Sequence, residues 1–165
     1  VCMDVDASTG GFTDVLLQHG AAKVFALDVG HGQLAWKLRN DERVIVLEKT
    51  NVRHIGPKEI PEPVDLVVSD VSFISLTVAL PAALKMTKPS AKLVTLIKPQ
   101  FEVGKGQVGK GGVVRDAELH EEVCHRIQTW VNDLPEWSVS GLAESPITGP
   151  KGNKEFLLFA EKNSA

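Results

Sequence analysis

An open, doubly wound α/β sheet is the fold this sequence predicts, and three observations carry the prediction. Short apolar runs recur along the chain and are continuous rather than alternating. Stretches with helical period lie between them, and the alternation ends in further strand-like segments. Continuous runs are how strands read when both faces of a parallel sheet are covered. A βαβα order then sets those strands in an open sheet with helices on both faces.

The elements follow in order. Residues 1–5 read as the first strand and 12–19 as a short helix; Val24 to Leu27 is the second strand, 33–39 a second helix and Val44 to Leu47 the third strand. Residues 64–68 form the fourth strand, and 74–86 a less regular helix that Pro81 interrupts. Leu93 to Ile97 is a fifth strand. From 116 to 131, Leu119, Val123, Ile127 and Val131 recur every four residues with Trp130 beside them, which gives one apolar helix face among the charges Glu118, Glu121, Glu122 and Arg126. Residues 156–160 read as a buried closing strand. Residues 100–112 stand apart, with Gly104, Gly106, Gly109, Gly111 and Gly112 in a loop of a length that is usually functional or disordered.

With 165 residues, a hydrophobic fraction of 43% and a charged fraction of 24%, the chain is sized for one globular domain with a real core. No apolar stretch reaches the ~20 residues that cross a bilayer, and no signal-like leader opens the sequence. Cys2 and Cys124 are too few for a disulfide framework and read as reduced core thiols of a cytoplasmic protein. The first strand starts at residue 1 without lead-in or initiator Met, which predicts that a longer protein contains this chain. The net charge of −3 hides an asymmetry: residues 85–115 carry +6 and the remainder −9. The basic strip is suited to a phosphate backbone; the alternative is a solvated lysine-rich surface.

Chemistry concentrates at strand ends, where open α/β sheets bind ligands. The turn Asp4-Val5-Asp6-Ala7-Ser8-Thr9-Gly10-Gly11-Phe12 has only the adjacent pair Gly10-Gly11, not the Gly-x-Gly-x-x-Gly that brings backbone amides to a pyrophosphate. Its carboxylates Asp4 and Asp6 repel phosphate and suit a cofactor bearing an ammonium and a sulfonium, such as S-adenosylmethionine. Asp28 ends the second strand, where an acid accepts hydrogen bonds from ribose hydroxyls. The alternative is a structural turn capped by Ser8 or Thr9. Asp70 and Lys98 follow the fourth and fifth strands and can converge at one sheet edge. Glu155 joins them if the last strand runs antiparallel. Carboxylates that orient a lysine ammonium allow the lysine to handle a hydroxyl proton; the alternative is a structural ion pair.

These segments form a recognisable set: Asp-x-x-Ala-Ser-Thr-Gly-Gly-Phe-Thr-Asp at 4–14, Ala-Leu-Asp-Val-Gly at 26–30, Ser-Asp-Val-Ser-Phe-Ile-Ser-Leu at 69–76, Ile-Lys-Pro-Gln-Phe-Glu at 97–102 and Gly-Asn-Lys-Glu-Phe at 152–156. Together they resemble the TlyA (haemolysin-A-like) ribosomal RNA methyltransferases, within the FtsJ-type 2′-O-ribose methyltransferases, over nearly the whole chain. The resemblance implies a Rossmann-like methyltransferase fold, a mostly parallel seven-stranded sheet with an antiparallel last strand, spanning 1–165. It implies S-adenosylmethionine as cofactor, a ribose 2′-hydroxyl of ribosomal RNA as acceptor, and ribosomal RNA or a ribosomal subunit as partner. Asp70, Lys98 and Glu155 match three members of a Lys-Asp-Lys-Glu catalytic set. The fourth lysine and the family's N-terminal S4-type RNA-binding domain have no counterpart here.

The cofactor is then expected at Asp4, Asp6, Ser8, Thr9, Gly10, Gly11, Phe12, Asp28, Asn51 and Asp70, and RNA phosphates at Lys105, Lys110, Arg115, Lys151 and Lys154. Asp6 departs from the family, which generally has Gly there. A side chain at that position predicts crowding, an unusual φ/ψ and weaker cofactor binding. Two other readings stand beside this one: a module that binds cofactor and RNA without catalysis, and a nicotinamide oxidoreductase, in which Asp28 would hold the NAD ribose. A membrane-lytic role has no support, because the best amphipathic helix is acidic on its polar face. His31, His54, His120 and His125 lack metal-ligand spacing, and Trp36, Trp130 and Trp137 read as core or lid residues.

Overall fold

The computed structural model describes residues 1–164, apart from the side chains of Lys105, Lys110 and Pro150. Seven strands form one sheet: β1 (Cys2–Val5), β2 (Val24–Leu27), β3 (Val44–Leu47), β4 (Val64–Ser69), β5 (Thr87–Ile97), β6 (Trp137–Glu144) and β7 (Phe156–Lys162). Their spatial order is β3-β2-β1-β4-β5-β7-β6. The first five strands pair in parallel, and β7 runs antiparallel to both β5 and β6. The chain winds one way from β1 to β3 and the other way from β4 to β5. The carboxyl ends of β1 and β4 are therefore the switch point at which such sheets open a crevice.

Helices cover both faces, as expected. On one face, α1 (Gly11–Gln18) and α2 (Trp36–Arg39) close a small core of Cys2, Leu17, Val24, Ala26, Leu34, Leu38 and Val44. On the other, α3 (Leu76–Ala79), α4 (Pro81–Leu84) and α5 (Ala117–Asp133) cover a larger one built on Met3, Val5, Phe25, Val67, Leu93, Ile127 and Leu158. Because side chains alternate across a strand, Met3 and Val5 join the larger core while Asp4 faces the α1 side. Thr13 of α1 meets it there, donating from Oγ1 to Asp4 Oδ2 at 2.7 Å.

Several elements differ from expectation. The second helix is a single turn that begins at Trp36, because Gly32 takes a φ of 73° and Ala35 is extended at the helix start. Pro81 splits the third helix into α3 and α4, and the segment ends at Leu84 rather than Met86. The fifth strand begins six residues early, with Ser90 in the left-handed region (φ 67°) and an irregular register against β4. Asp116 caps α5 by accepting from the Glu118 amide at 2.9 Å, and Val123, Ile127 and Val131 are buried as the period predicted. Residues 100–112 are partly built from short 3₁₀ turns. Trp137 is buried and Trp130 half-buried, but Trp36 is 78% exposed and belongs to no core. His120 is buried against the Val114 carbonyl at 2.7 Å, a structural contact.

Candidate active site

The β1–α1 turn is held by backbone conformations that few residues adopt. Asp6, Ser8 and Gly10 all have positive φ (64°, 52° and 102°). At Gly10 the requirement is strict: a Cβ would lie 2.7 Å from Leu34 Cδ1 and also collide with Leu38. Gly10 is the N-cap of α1, and no side chain caps the helix, so the capped-turn alternative is not what the chain builds. Asp28 ties the turn to the end of β2. Its Oδ2 accepts from the Ser8 amide and its Oδ1 from the Gly30 amide, both at 2.9 Å. That leaves only the remaining lone pairs of Asp28 for a ribose.

A cavity of about 490 Å³ opens over this turn, lined by Asp4, Asp6, Thr9, Gly11, Phe12, Asp70, Glu155 and apolar neighbours that include Leu96 and Ile147. A second, of about 320 Å³, lies beside it between Val29, Asn51, Ser72 and Phe73. Asn51 Oδ1 accepts from the Arg53 amide at 3.0 Å. Asp4 is almost fully buried; Thr13 satisfies one of its oxygens, and Oδ1 has no partner. Burial pushes the Asp4 carboxyl up to about 7 against the Thr13 hydrogen bond. Burial, with Asp28 and Asp70 nearby, pushes Asp6 up to about 6.

Lys98, directly after β5, is 10% exposed and forms an ion pair with Asp70 Oδ1, while donating to Ser72 Oγ at 3.0 Å. The parallel β4–β5 register brings the two together. Glu155 is buried in the same cavity, at the start of antiparallel β7, where the sequence placed it. It does not reach Lys98: its Oε2 accepts from Gln100 Nε2 at 3.0 Å, and no ion pair with Lys98 is present among the described residues. The expected three-residue contact is therefore a two-residue contact, with Glu155 bonded to Gln100 instead.

Two loop features beside the cavity, at Glu102 and Phe73, are among those that escaped the sequence reading. Glu102, 2% exposed in its side chain, accepts from Ser75 Oγ at 2.7 Å and the Leu76 amide at 2.8 Å, and Arg126 donates to its carbonyl at 2.7 Å. It clamps the segment after Asp70 to the segment after Lys98. Replacing Glu102 with Ala leaves the Leu76 amide without its acceptor and Ser75 with Thr77 alone, and should cost about 1–3 kcal/mol. Thermal melting should fall by several degrees, and a loss under one degree would show that the clamp is dispensable. Phe73 has a φ of 72° and is 84% exposed, its ring 4.9 Å from that of Phe101. A bulky residue held in a strained conformation at a cavity mouth marks a functional surface. Nothing local in the sequence announces either arrangement.

The expected RNA contacts divide. The side chains of Lys105 and Lys110 lie outside the described residues. Lys151 is exposed (φ 59°) and lines a small cavity with Phe73, Gln100, Phe101, Gly111 and Gly112. Arg115 and Lys154 are exposed, and Lys154 pairs with Glu144 at 3.8 Å. Asn153, also unanticipated, is buried; it accepts from the Val114 amide at 2.9 Å and donates to the Gly112 carbonyl at 3.0 Å, fixing the glycine loop beside the turn that precedes Glu155. Among the described residues, no cluster of side chains could hold a metal ion and no helix is long and apolar enough to cross a membrane.

Comparison with known proteins decides the family. The FtsJ-like methyltransferase family model matches residues 1–162. The chain belongs to the FtsJ-like methyltransferases. It is 54% identical over 158 residues to the 16S/23S rRNA (cytidine-2′-O)-methyltransferase TlyA of Mycobacterium tuberculosis, covering 96% of this chain and 59% of that protein. A solved structure of a hemolysin-named protein from Streptococcus thermophilus superposes with a TM-score of 0.93 at 45% identity, covering 99% of this chain and 59% of that one. The chain thus spans about three-fifths of the length of these relatives. The O-methyltransferase TomG of Streptomyces achromogenes, solved in complex with SAM, shares the fold alone, with a TM-score of 0.61 at 14% identity over 98% of this chain and 72% of that one. The Rossmann-like methyltransferase fold expected from the motifs is the fold observed.

Proposed function

We propose that the chain carries an S-adenosylmethionine-dependent transfer of methyl to a ribose 2′-hydroxyl of ribosomal RNA. The observation that carries this reading is the Lys98–Asp70 pair, set beside an acidic cavity at the switch point of the sheet. The donor fits the residues present: the unpartnered Oδ1 of buried Asp4 faces a cavity rich in carboxylates, which favours a cationic ligand. Asp4, Gly10, Gly11 and Thr9 would hold its amino-acid end, and Asp28 with Asn51 its nucleoside end. When bound, the donor supplies an electrophilic methyl on a leaving group that needs no acid.

The protein then has two tasks. It must position the acceptor oxygen, which supplies much of the rate, and it must make that oxygen nucleophilic. Lys98, held as an ammonium by Asp70 and donating to Ser72, first releases a proton to solvent; its neutral amine then takes up the hydroxyl proton, and Asp70 stabilises the ammonium that forms again. Glu155 enters this cluster when substrate displaces Gln100. Phe73 offers an aromatic face to a nucleobase, with exposed Lys151 beside it for a phosphate, and Arg115, Lys105, Lys110 and Lys154 are proposed as further phosphate contacts. Phe73→Ala should raise the KM for RNA about tenfold, the worth of roughly one base–aromatic stack, with donor affinity unchanged. Steady-state kinetics and calorimetry check the two halves of that statement.

The test of the reading is transfer of labelled methyl from S-adenosylmethionine to isolated ribosomal subunits by the whole protein. Mapping by resistance to alkaline hydrolysis should place the label on a 2′-oxygen. Label on a base, or none, would sink it. The non-catalytic module keeps one observation in its favour, the strained Asp6 in the donor turn, and the same assay separates it. The oxidoreductase reading loses ground because Asp4, Asp6, Asp70 and Glu155 line the space a pyrophosphate would fill.

A further inference from the structure

Among the described residues, Asp6 alone lines both the main cavity and its neighbour. It therefore stands where a ligand occupying both would cross from one to the other. Its backbone is in the left-handed region, φ 64°, which is unfavourable for a residue with a Cβ. The charges facing it are Asp28, Asp70 and Lys98, with Asp4 one turn of the strand away. Lys98 is engaged by Asp70, so the junction keeps an excess of negative charge. A second, independent feature points the same way: buried Asp4 turns an unpartnered oxygen into the same space.

Methyl transfer changes the charge of what occupies that space. A sulfonium and a hydroxyl become a thioether, a methyl ether and a proton, and the bound species loses one positive charge at sulfur. Donor and spent product otherwise differ by a single methyl, which hydrophobic contacts distinguish poorly. We propose that the Asp6 carboxylate makes this site prefer the cationic sulfonium donor over the neutral thioether left after transfer, and so hastens product exchange. The inference rests on the donor-site reading above and concerns one residue within it. A fixed charge at short range in a half-buried site supports discrimination of about three- to tenfold. The strained backbone fits this role, since strain is retained where the side chain has a use.

The test is calorimetry on the protein at pH 7.5 with S-adenosylmethionine, S-adenosylhomocysteine and the cationic amine analogue sinefungin, comparing the parent with Asp6→Asn and Asp6→Gly. In Asp6→Asn the ratio of the thioether Kd to the sulfonium Kd should fall about three- to tenfold, through weaker binding of the two cations. Asp6→Gly, which relieves the backbone, should show the same fall in ratio even where both affinities rise. A ratio within twofold of the parent in both variants overturns the proposal. Absence of binding of all three ligands to the parent overturns the donor-site reading itself, and this inference with it.

Discussion

Replacing Lys98 with Ala should lower kcat/KM for methyl transfer by about 10³-fold, roughly 4 kcal/mol of transition-state stabilisation. Donor affinity should stay within about threefold of the parent, because Lys98 meets Asp70 and Ser72 rather than the turn that would hold the donor. The fold should survive: the Asp70 side chain is 42% exposed as a whole, and water can enter the space the lysine leaves beside its buried Oδ1. Arg at this position should not rescue activity, because a guanidinium cannot give up a proton near neutral pH. Single-turnover transfer to ribosomal subunits, paired with donor calorimetry, checks the result. Turnover within tenfold of the parent would remove Lys98 from the chemistry.

The second large effect concerns Asp4 and pH. Its carboxyl titrates near 7 in the folded chain and near 4 when unfolded. Below about pH 4 both states hold the proton and no penalty exists. Between 4 and 7 the folded state keeps a proton that the unfolded state has lost, so stability falls as pH rises, by about 1.4 kcal/mol per unit. Asp6, raised to about 6, adds to the same trend. Asp4→Asn keeps the Thr13 hydrogen bond and removes the titration. Its stability relative to the parent should therefore improve by on the order of 3 kcal/mol from pH 5 to 8, a relative gain of about 5–10 °C in Tm. Donor affinity should drop about 30-fold or more with loss of the charged acceptor. Paired melting curves across that range, without donor, decide it; parallel curves would mean that Asp4 is not buried as a charge.

Strands β2, β3 and β4 and the second half of β5 could be read in the sequence because each leaves a run of apolar residues that feeds the cores; the first half of β5, with Lys88, Pro89 and Ser90, leaves none. Strand β6 could not be placed: it is an edge strand, half-buried, with Ser138, Ser140 and Gly141 among its residues. Asp4, Asp70 and Lys98 were legible because strand ends in a parallel sheet gather at one edge, a rule that needs only the order of elements. The engagement of Glu155 by Gln100, the clamp at Glu102 and the strained Phe73 depend on where loops of different strands cross. No local pattern encodes that crossing.

The reversed direction of β7 has a consequence for synthesis. Of the described strands it is the last to leave the ribosome, yet it sits between β5 and β6. Until it emerges, the stretch of β5 that β7 will cover, Lys92 to Ile97, presents an open hydrogen-bonding edge, and Glu155 has not yet arrived. A nascent chain halted before position 155 should be both inert and prone to self-association, so a premature stop in this region leaves no partly working product.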